Sequence, residues 1–305
     1  MAPNNAQEII EGLCRTGASI SPKYFYDAQG STLFEAITKL PEYYPTRTEQ
    51  SVMQTHGRAI AQSIGRVTTL IEPGAGSCNK ARALCRLLRP ERFVGLDISA
   101  QYLLGSIERM RAEFAQLDLR AVAADMSGAF ELPADIPRSA RLVFYPGSSI
   151  GNFDPEHALD LLARMRALVD QDGFLLIGID LPKDVAILEA AYNDAAGVTA
   201  AFNRNVLAHV NAIIGSDFVP AQWQHRSFFN ARESRIEMHL QTPAATCVRW
   251  PGGERRFGAG ERIHTENSYK YPLPQFIALL RSAGFSQAQS WSDERHWFGV
   301  ILARP

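Results

Sequence analysis

The sequence predicts an α/β protein: a parallel, doubly wound sheet into which a second, α+β region is inserted. Three observations lead there. Between Val67 and Asp180, apolar runs of strand length alternate with helical stretches, and the runs hold few polar residues, as strands buried on both faces do. From Lys183 the pattern changes to a long helical stretch followed by alternating β-like runs. Helical periodicity and two strand-like runs then return at the end of the chain.

In order, residues 7–17 read as a short helix. An aromatic stretch follows (Tyr24-Phe25-Tyr26-Asp27, Phe34, Leu40-Pro41-Glu42-Tyr43-Tyr44-Pro45), too broken by Pro and Gly for one regular helix. Buried tyrosine hydroxyls need partners, so this stretch either lines a polar-bottomed pocket or forms a satellite apolar cluster. A helix is expected over 49–64. Strand 67–72 leads to helix 77–88, strand 92–97 to helix 99–116, and strand 119–124 ends at Ala124-Asp125. Strand 141–146 leads to the loop Gly147–Phe153. Asp154 and Pro155 are suited to start helix 155–169, and Gly173 marks its stop before strand 174–180. Helix 184–213 carries an Ala196-Gly197 punctuation, and β-like runs are expected at 224–229, 234–241, 246–250 and 261–266. A helix through Phe276, Leu279 and Leu280 stops at Gly284 before strands 286–291 and 297–303. The expected divisions are 1–46, 47–182 for a nucleotide-binding part, 183–270 as an inserted subdomain, and 271–305.

The 305 residues are 46% hydrophobic with a net charge of −1, acids and bases interspersed. No basic stripe points to nucleic acid, and nothing points to an anionic membrane. Cys14, Cys78, Cys85 and Cys247 lack paired spacing and read as reduced thiols; with a polar start at Pro3-Asn4-Asn5, a soluble cytoplasmic monomer is expected. The seven histidines show no metal-ligand spacing, so no metal site is expected.

The chemistry centres on Leu70-Ile71-Glu72-Pro73-Gly74-Ala75-Gly76-Ser77-Cys78-Asn79-Lys80. A strand, a turn with two glycines and a helix start let a ligand approach the backbone N–H groups closely. A dinucleotide fingerprint wants Gly or Ala three positions after Gly76, where Asn79 stands. Glu72 precedes the glycines, and Asp97 ends the next strand, placed to accept from ribose hydroxyls. This E-x-G-x-G arrangement resembles the S-adenosylmethionine (SAM) site of class I (Rossmann-like) methyltransferases. In that frame Asp125 reads the adenine amino group or caps a turn, and Lys80 pairs with the methionine carboxylate or stands in solvent. Gly147-Ser148-Ser149-Ile150-Gly151 also spells a hydrolase nucleophile elbow, with Ser149 as nucleophile and Asp180 and His264 or His296 behind it. No oxyanion loop precedes it, and a hydrolase has no use for the E-x-G-x-G run.

Several separate runs together resemble the SAM-dependent histidine N-alpha-methyltransferases of ergothioneine biosynthesis. They are Pro22–Phe34, Leu40–Glu49, the glycine loop, Gly147–Phe153, Ala191-Tyr192-Asn193-Asp194 with Phe202-Asn203, and Thr265-Glu266-Asn267-Ser268. They occur in the family's order across nearly the whole chain. The resemblance implies a class I methyltransferase sheet, completed by a hairpin in 271–305, with an inserted α+β substrate-binding domain formed by 1–46 and 183–270. It also implies transfer of three methyls from SAM to the α-amine of L-histidine, giving hercynine. By the same resemblance Asn152 and Tyr192 hold the substrate carboxylate, while Tyr43, Glu266 and Ser268 read the imidazole with Met238 packed beside it. Tyr26 and Gly147 lie near the amine, Tyr26 and Asn152 acting in catalysis. Glu72, Gly74, Gly76, Lys80, Asp97 and Asp125 belong to SAM.

The glycine loop departs from the usual E-L-G-S-G-S-S-E-K, and Asn267 and Tyr269-Lys270-Tyr271 replace small or apolar residues. Relatives that methylate another amino acid, such as tryptophan, lack the Met and Glu pairing kept here by Met238 and Glu266. The competing readings are such a methyltransferase, the serine hydrolase, and a non-catalytic SAM or metabolite sensor.

Overall fold

The computed structural model describes residues 5–126, 128 and 130–305; the polar start at Pro3-Asn4 lies outside the described residues. The chain divides into two compact units. One comprises Met1–Tyr44 with Lys183–Ser268, the other Pro45–Pro182 with Tyr269–Pro305.

The second unit holds a seven-stranded sheet. Its members are β1 (Thr69–Pro73), β2 (Arg92–Asp97), β3 (Asp118–Ala123), β4 (Arg141–Tyr145), β5 (Phe174–Asp180) and, from the C-terminal hairpin, β11 (Gln287–Ser292) and β12 (Phe298–Arg304). The spatial order is β11-β12-β5-β4-β1-β2-β3. β1 pairs in parallel with both β2 (Thr69↔Arg92) and β4 (Thr69↔Arg141), and β12 runs antiparallel between β5 and β11. The chain thus winds outward from β1 to β3 and returns through β4 on the other side, so a crevice opens beyond the C-terminal end of β1.

Alternation along each strand feeds two cores. Leu70, Phe93, Leu142, Phe144 and Leu176 face α3 (Tyr44–Ile64), α4 (Asn79–Leu88) and α5 (Ala100–Arg111) through Val52, Ile60, Leu84 and Leu103. Ile71, Val94, Val143, Leu175 and Ile177 face α6 (Pro155–Leu168) and α9 (Leu273–Ser282) through Leu161, Met165 and Phe276. Both faces are covered, which is why these strands read as unbroken apolar runs. Asp154 caps α6 as expected, its carboxylate accepting the His157 N–H at 3.0 Å.

The first unit packs α1 (Asn5–Cys14), α2 (Ala28–Ile37), α7 (Val185–Ala191) and α8 (Val198–Ile214) with two small sheets. One is ordered β10-β7-β6, from β6 (Gln224–Asn230), β7 (Arg235–Gln241) and β10 (Arg262–Tyr269). The other pairs β8 (Thr246–Trp250) with β9 (Gly253–Phe257).

Three elements differ from expectation. The aromatic stretch contains α2, whose start is fixed locally. Asp27 accepts the Gly30 N–H at 2.6 Å, and a side chain at Gly30 would collide with the Phe25 carbonyl, so the close turn needs glycine. β9 went unrecognised because Gly-Glu-Arg-Arg-Phe carries almost no apolar signal; its pairing with β8 makes it a strand. The expected helix over 184–213 is two helices, broken at Tyr192–Gly197. There the Asp194 carboxylate accepts the N–H groups of Val198 (2.9 Å) and Thr199 (2.7 Å) and starts α8 afresh.

Candidate functional site

Within the sheet unit, the glycine loop leaves β1 through Gly74 (φ 68°) and Gly76 (φ 50°), both in the left-handed region that glycine occupies without strain. The Ala75 N–H donates to the Leu96 carbonyl (3.0 Å) and the Gly76 N–H to Asp97 Oδ2 (2.9 Å), tying the turn to the end of β2. Asp97 Oδ1 accepts the Ser99 N–H at 2.8 Å. Each carboxylate oxygen has a further lone pair for a hydroxyl. The Ala124 N–H donates to the Asp97 carbonyl at 3.0 Å, so Asp125 follows directly beside Asp97 at the same edge of the sheet. Ile98 is 40% exposed next to Asp97, an apolar surface that sequence reading passed over.

Glu72 is 2% exposed, and its Oε2 has no hydrogen-bond partner. Burial pushes its carboxyl well above the usual range, against the pull of Lys80 and with the push of Glu49 and Asp97. A side chain at Gly74 would meet no atom within 4 Å, so the space before the loop is open. An orphaned buried carboxylate, exposed loop backbone, and a second carboxylate with spare lone pairs fit a ligand carrying cationic, amide-binding and hydroxyl groups. SAM is such a ligand.

Lys80 lies on the first turn of α4, where its ammonium binds Glu49 Oε2 at 2.5 Å. Glu49, 4% exposed on α3, accepts the Gly147 N–H at 2.8 Å through its other oxygen. A side chain at Gly147 (φ 79°) would stand 2.9 Å from Lys80 Nζ, so glycine keeps that ammonium open. Lys80 therefore has a partner of its own and two donors left. Glu49 was not singled out from the sequence. The available signal was a charged residue in line with Val52, Ile60 and Ile64 on the buried face of a helix.

After β4, Gly147 leads into Ser148 (φ 57°) and a 3-10 turn, Ser149–Asn152, that carries Asn152. Ser148 Oγ accepts the Asp180 N–H at 2.8 Å, and a side chain at Gly151 would press on the Tyr269 backbone, so the loop is held from below. Ser149 Oγ donates to the Pro146 carbonyl at 3.1 Å. Asp180 is paired with Lys270 at 2.8 Å, both buried, and His296 bonds Ser292 at 2.8 Å. In the other unit, His264 bonds Asn267 at 2.8 Å. None of these pairings makes a Ser–His–Asp relay. Cys78 is buried and its thiol is pushed up by burial, while Cys85 is pushed up to about 12, so neither is an activated nucleophile.

In the first unit, the residues expected to meet an amino acid gather on one set of elements. An aromatic train runs Tyr26–Phe34–Tyr43–Tyr192, with ring centroids 5.8, 6.3 and 6.3 Å apart. Phe25 stacks on Phe202 of α8 at 4.5 Å. Tyr192 donates its hydroxyl to Ser268 Oγ at 2.6 Å. Glu266 (7% exposed), Ser268 and Met238 are buried. Strict alternation along β10 would place His264 and Asn267 on opposite faces, yet their side chains bond each other. The alternation therefore slips by one residue between them, which turns Thr265, Glu266 and Ser268 all inward.

Among the described residues, no group of His, Cys, Asp and Glu could hold a metal ion, and no helix is long and apolar enough to cross a membrane. All four cysteines are free.

The chain is 39% identical to the histidine N-alpha-methyltransferase of Mycolicibacterium smegmatis, over 97% of this chain and 94% of that one. It is 38% identical to the protein of the same name from Mycobacterium tuberculosis over the same shares. Among solved structures, the PH0226 protein of Pyrococcus horikoshii shares the fold, with a TM-score of 0.50 at 11% identity, covering 92% of this chain and 100% of that one. Residues 5–305 match the family described as "Histidine-specific methyltransferase, SAM-dependent", and the chain belongs to that family.

Proposed function

We propose that this protein transfers methyl groups from SAM to the α-amine of L-histidine, three in succession, giving hercynine for ergothioneine biosynthesis. Family membership supplies SAM as methyl donor and histidine as substrate. The observation that carries the finer reading is the inward-turned Glu266 and Ser268 on β10, with Tyr192 hydrogen-bonded to Ser268 and Met238 buried on β7. A buried carboxylate and hydroxyl suit a ring with N–H donors; indole offers one such donor and imidazolium two.

SAM, when bound, supplies a methyl on a sulfonium, and Glu72, Gly74, Gly76, Lys80, Asp97 and Asp125 would hold it. On the substrate side, Asn152 and Tyr192 hold the carboxylate, Tyr43, Glu266 and Ser268 the imidazole, and Tyr26 and Gly147 border the amine. In each round the neutral amine nitrogen forms a bond to the methyl carbon as the carbon–sulfur bond breaks, its electron pair staying on sulfur. An N–H proton departs to water before each of the later rounds. Before the first round the α-ammonium must also lose a proton to water, and these residues then align and desolvate the neutral amine. Tyr26 orients the amine through its hydroxyl as methyls accumulate. We further propose that the enzyme works as a cytoplasmic monomer.

The test is initial-rate formation of S-adenosylhomocysteine with histidine, its mono- and dimethylated forms, and tryptophan. Turnover of the three histidine species and none of tryptophan is expected; turnover of tryptophan in preference would remove the histidine pocket.

A further inference from the structure

Two side chains, the buried Asn203 and the half-buried His225, have no place in the chemistry above, yet both bond the elements that carry it. His225, on β6, reaches the Tyr192 carbonyl through Nε2 at 2.9 Å and Asn203 through Nδ1 at 2.8 Å. Asn203, on α8 and fully buried, also reaches the His239 carbonyl through Nδ2 at 3.0 Å. Thr265 Oγ1, next to Glu266, lies 2.8 Å from Asn203 Oδ1 and 3.0 Å from the Met238 carbonyl.

Only one proton assignment satisfies the nitrogens of His225 and Asn203. A carbonyl can only accept, so His225 Nε2 carries the proton toward Tyr192. Both Nδ2 hydrogens of Asn203 are then used, one on the His239 carbonyl and one on His225 Nδ1, which must be unprotonated. Asn203 Oδ1 is left as an acceptor, and it shares the one Thr265 hydroxyl hydrogen with the Met238 carbonyl. The ring is therefore neutral, in agreement with burial holding its pKa below the ordinary histidine value. The path also closes on itself: Tyr192, held at its carbonyl by His225, is held at its hydroxyl by Ser268, two residues beyond Glu266.

We propose that His225 and Asn203 are positioning residues for the amino-acid substrate. His225, in its neutral Nε2–H form, fixes the chain at Tyr192, and Asn203 fixes β10 beside Glu266, so that the carboxylate-holding and imidazole-reading groups are set by one hydrogen-bonded circuit. The proposal rests on the histidine reading of this pocket. Neither residue touches the substrate; both act through Tyr192, Thr265 and their neighbours. The circuit contains no residue of the SAM loop, so its loss is felt by histidine and not by the nucleoside.

The experiment is calorimetry on the full chain, measuring S-adenosylhomocysteine alone and then histidine in its presence, with a melting curve for each variant. His225→Phe should weaken histidine binding at least tenfold and leave S-adenosylhomocysteine binding within twofold. His225→Gln, which returns an N–H toward the Tyr192 carbonyl, should recover most of the loss. Wild-type histidine affinity in His225→Phe, or no recovery in His225→Gln, overturns the proposal. Should His225→Phe not fold, nitrogen-15 shifts of the wild-type ring decide: a neutral Nε2–H ring at pH 7 is expected, and a cationic or Nδ1–H ring overturns it. Tyr192→Phe and Glu266→Gln separate the two claims. If both bind histidine like wild type, the pocket itself is misread; if they lose it while His225→Phe does not, only the circuit fails.

Discussion

Glu72 shows at the scale of one residue how function is set against stability. Its burial raises the folded-state pKa above the unfolded value, so at a pH above the unfolded value Glu72 opposes folding until a cationic ligand arrives. Glu72→Gln should therefore raise the melting temperature of the ligand-free protein, by about 1–3 kcal/mol of stability, while weakening SAM binding at least tenfold. Melting curves and titration calorimetry read the two effects separately; a destabilised variant with unchanged SAM affinity would make Glu72 a structural residue only. Tyr192 and Ser268, 2.6 Å apart, offer a second test. If one holds the carboxylate and the other the imidazole, Tyr192→Phe and Ser268→Ala should couple in a double-mutant cycle on histidine affinity, by about 0.5–3 kcal/mol. Additive losses would place the two hydroxyls in separate tasks.

Elements decide what those residues can reach. The strand–glycine–helix unit was legible in the sequence because its signal is local: apolar run, two glycines, and an acid at each of two strand ends. α2 and β9 were not. The first is announced by an Asp27–Gly30 cap inside an aromatic-rich run, and the second is defined by pairing with β8 and has little apolar content of its own. The slip of alternation in β10 was also hidden, since period-two reasoning turns Thr265 away from Glu266, whereas the structure buries both. Glu49 lay in plain view on an apolar helix face, but its partners, Lys80 and the Gly147 N–H, are 31 and 98 residues away in sequence. Because Glu49 joins the first turn of α4 to the loop after β4, Glu49→Gln should loosen Lys80 and weaken SAM binding about tenfold or more. Fluorescence or calorimetric titration checks it; an unchanged dissociation constant would confine Glu49 to folding.

Across the whole molecule, three partly buried imidazoles set the response to acid. Burial lowers His239 to about 4 and lowers His225 and His264 as well, while unfolded histidine titrates near 6.5. Below pH 6.5 the unfolded chain binds protons that the folded chain refuses, so stability should fall as pH drops from 6.5 toward 4. Glu237 is held at about 2 against the burial that opposes it, by hydrogen bonds from Asn230, Arg235 and His239. Its contribution is present above about pH 4.3 and is lost as pH falls toward 2. Urea unfolding at pH 7, 5 and 4 should show this decline, and His239→Phe should flatten its upper part; a pH-independent midpoint would contradict the placement of these rings.

The central claim is methyl transfer to the α-amine of histidine, and mass spectrometry of the purified protein incubated with SAM and each common amino acid tests it most directly. The account predicts a gain of three methyl groups on histidine alone, all on the α-nitrogen by fragmentation. Methylation of a different amino acid, or of an imidazole nitrogen, would contradict it.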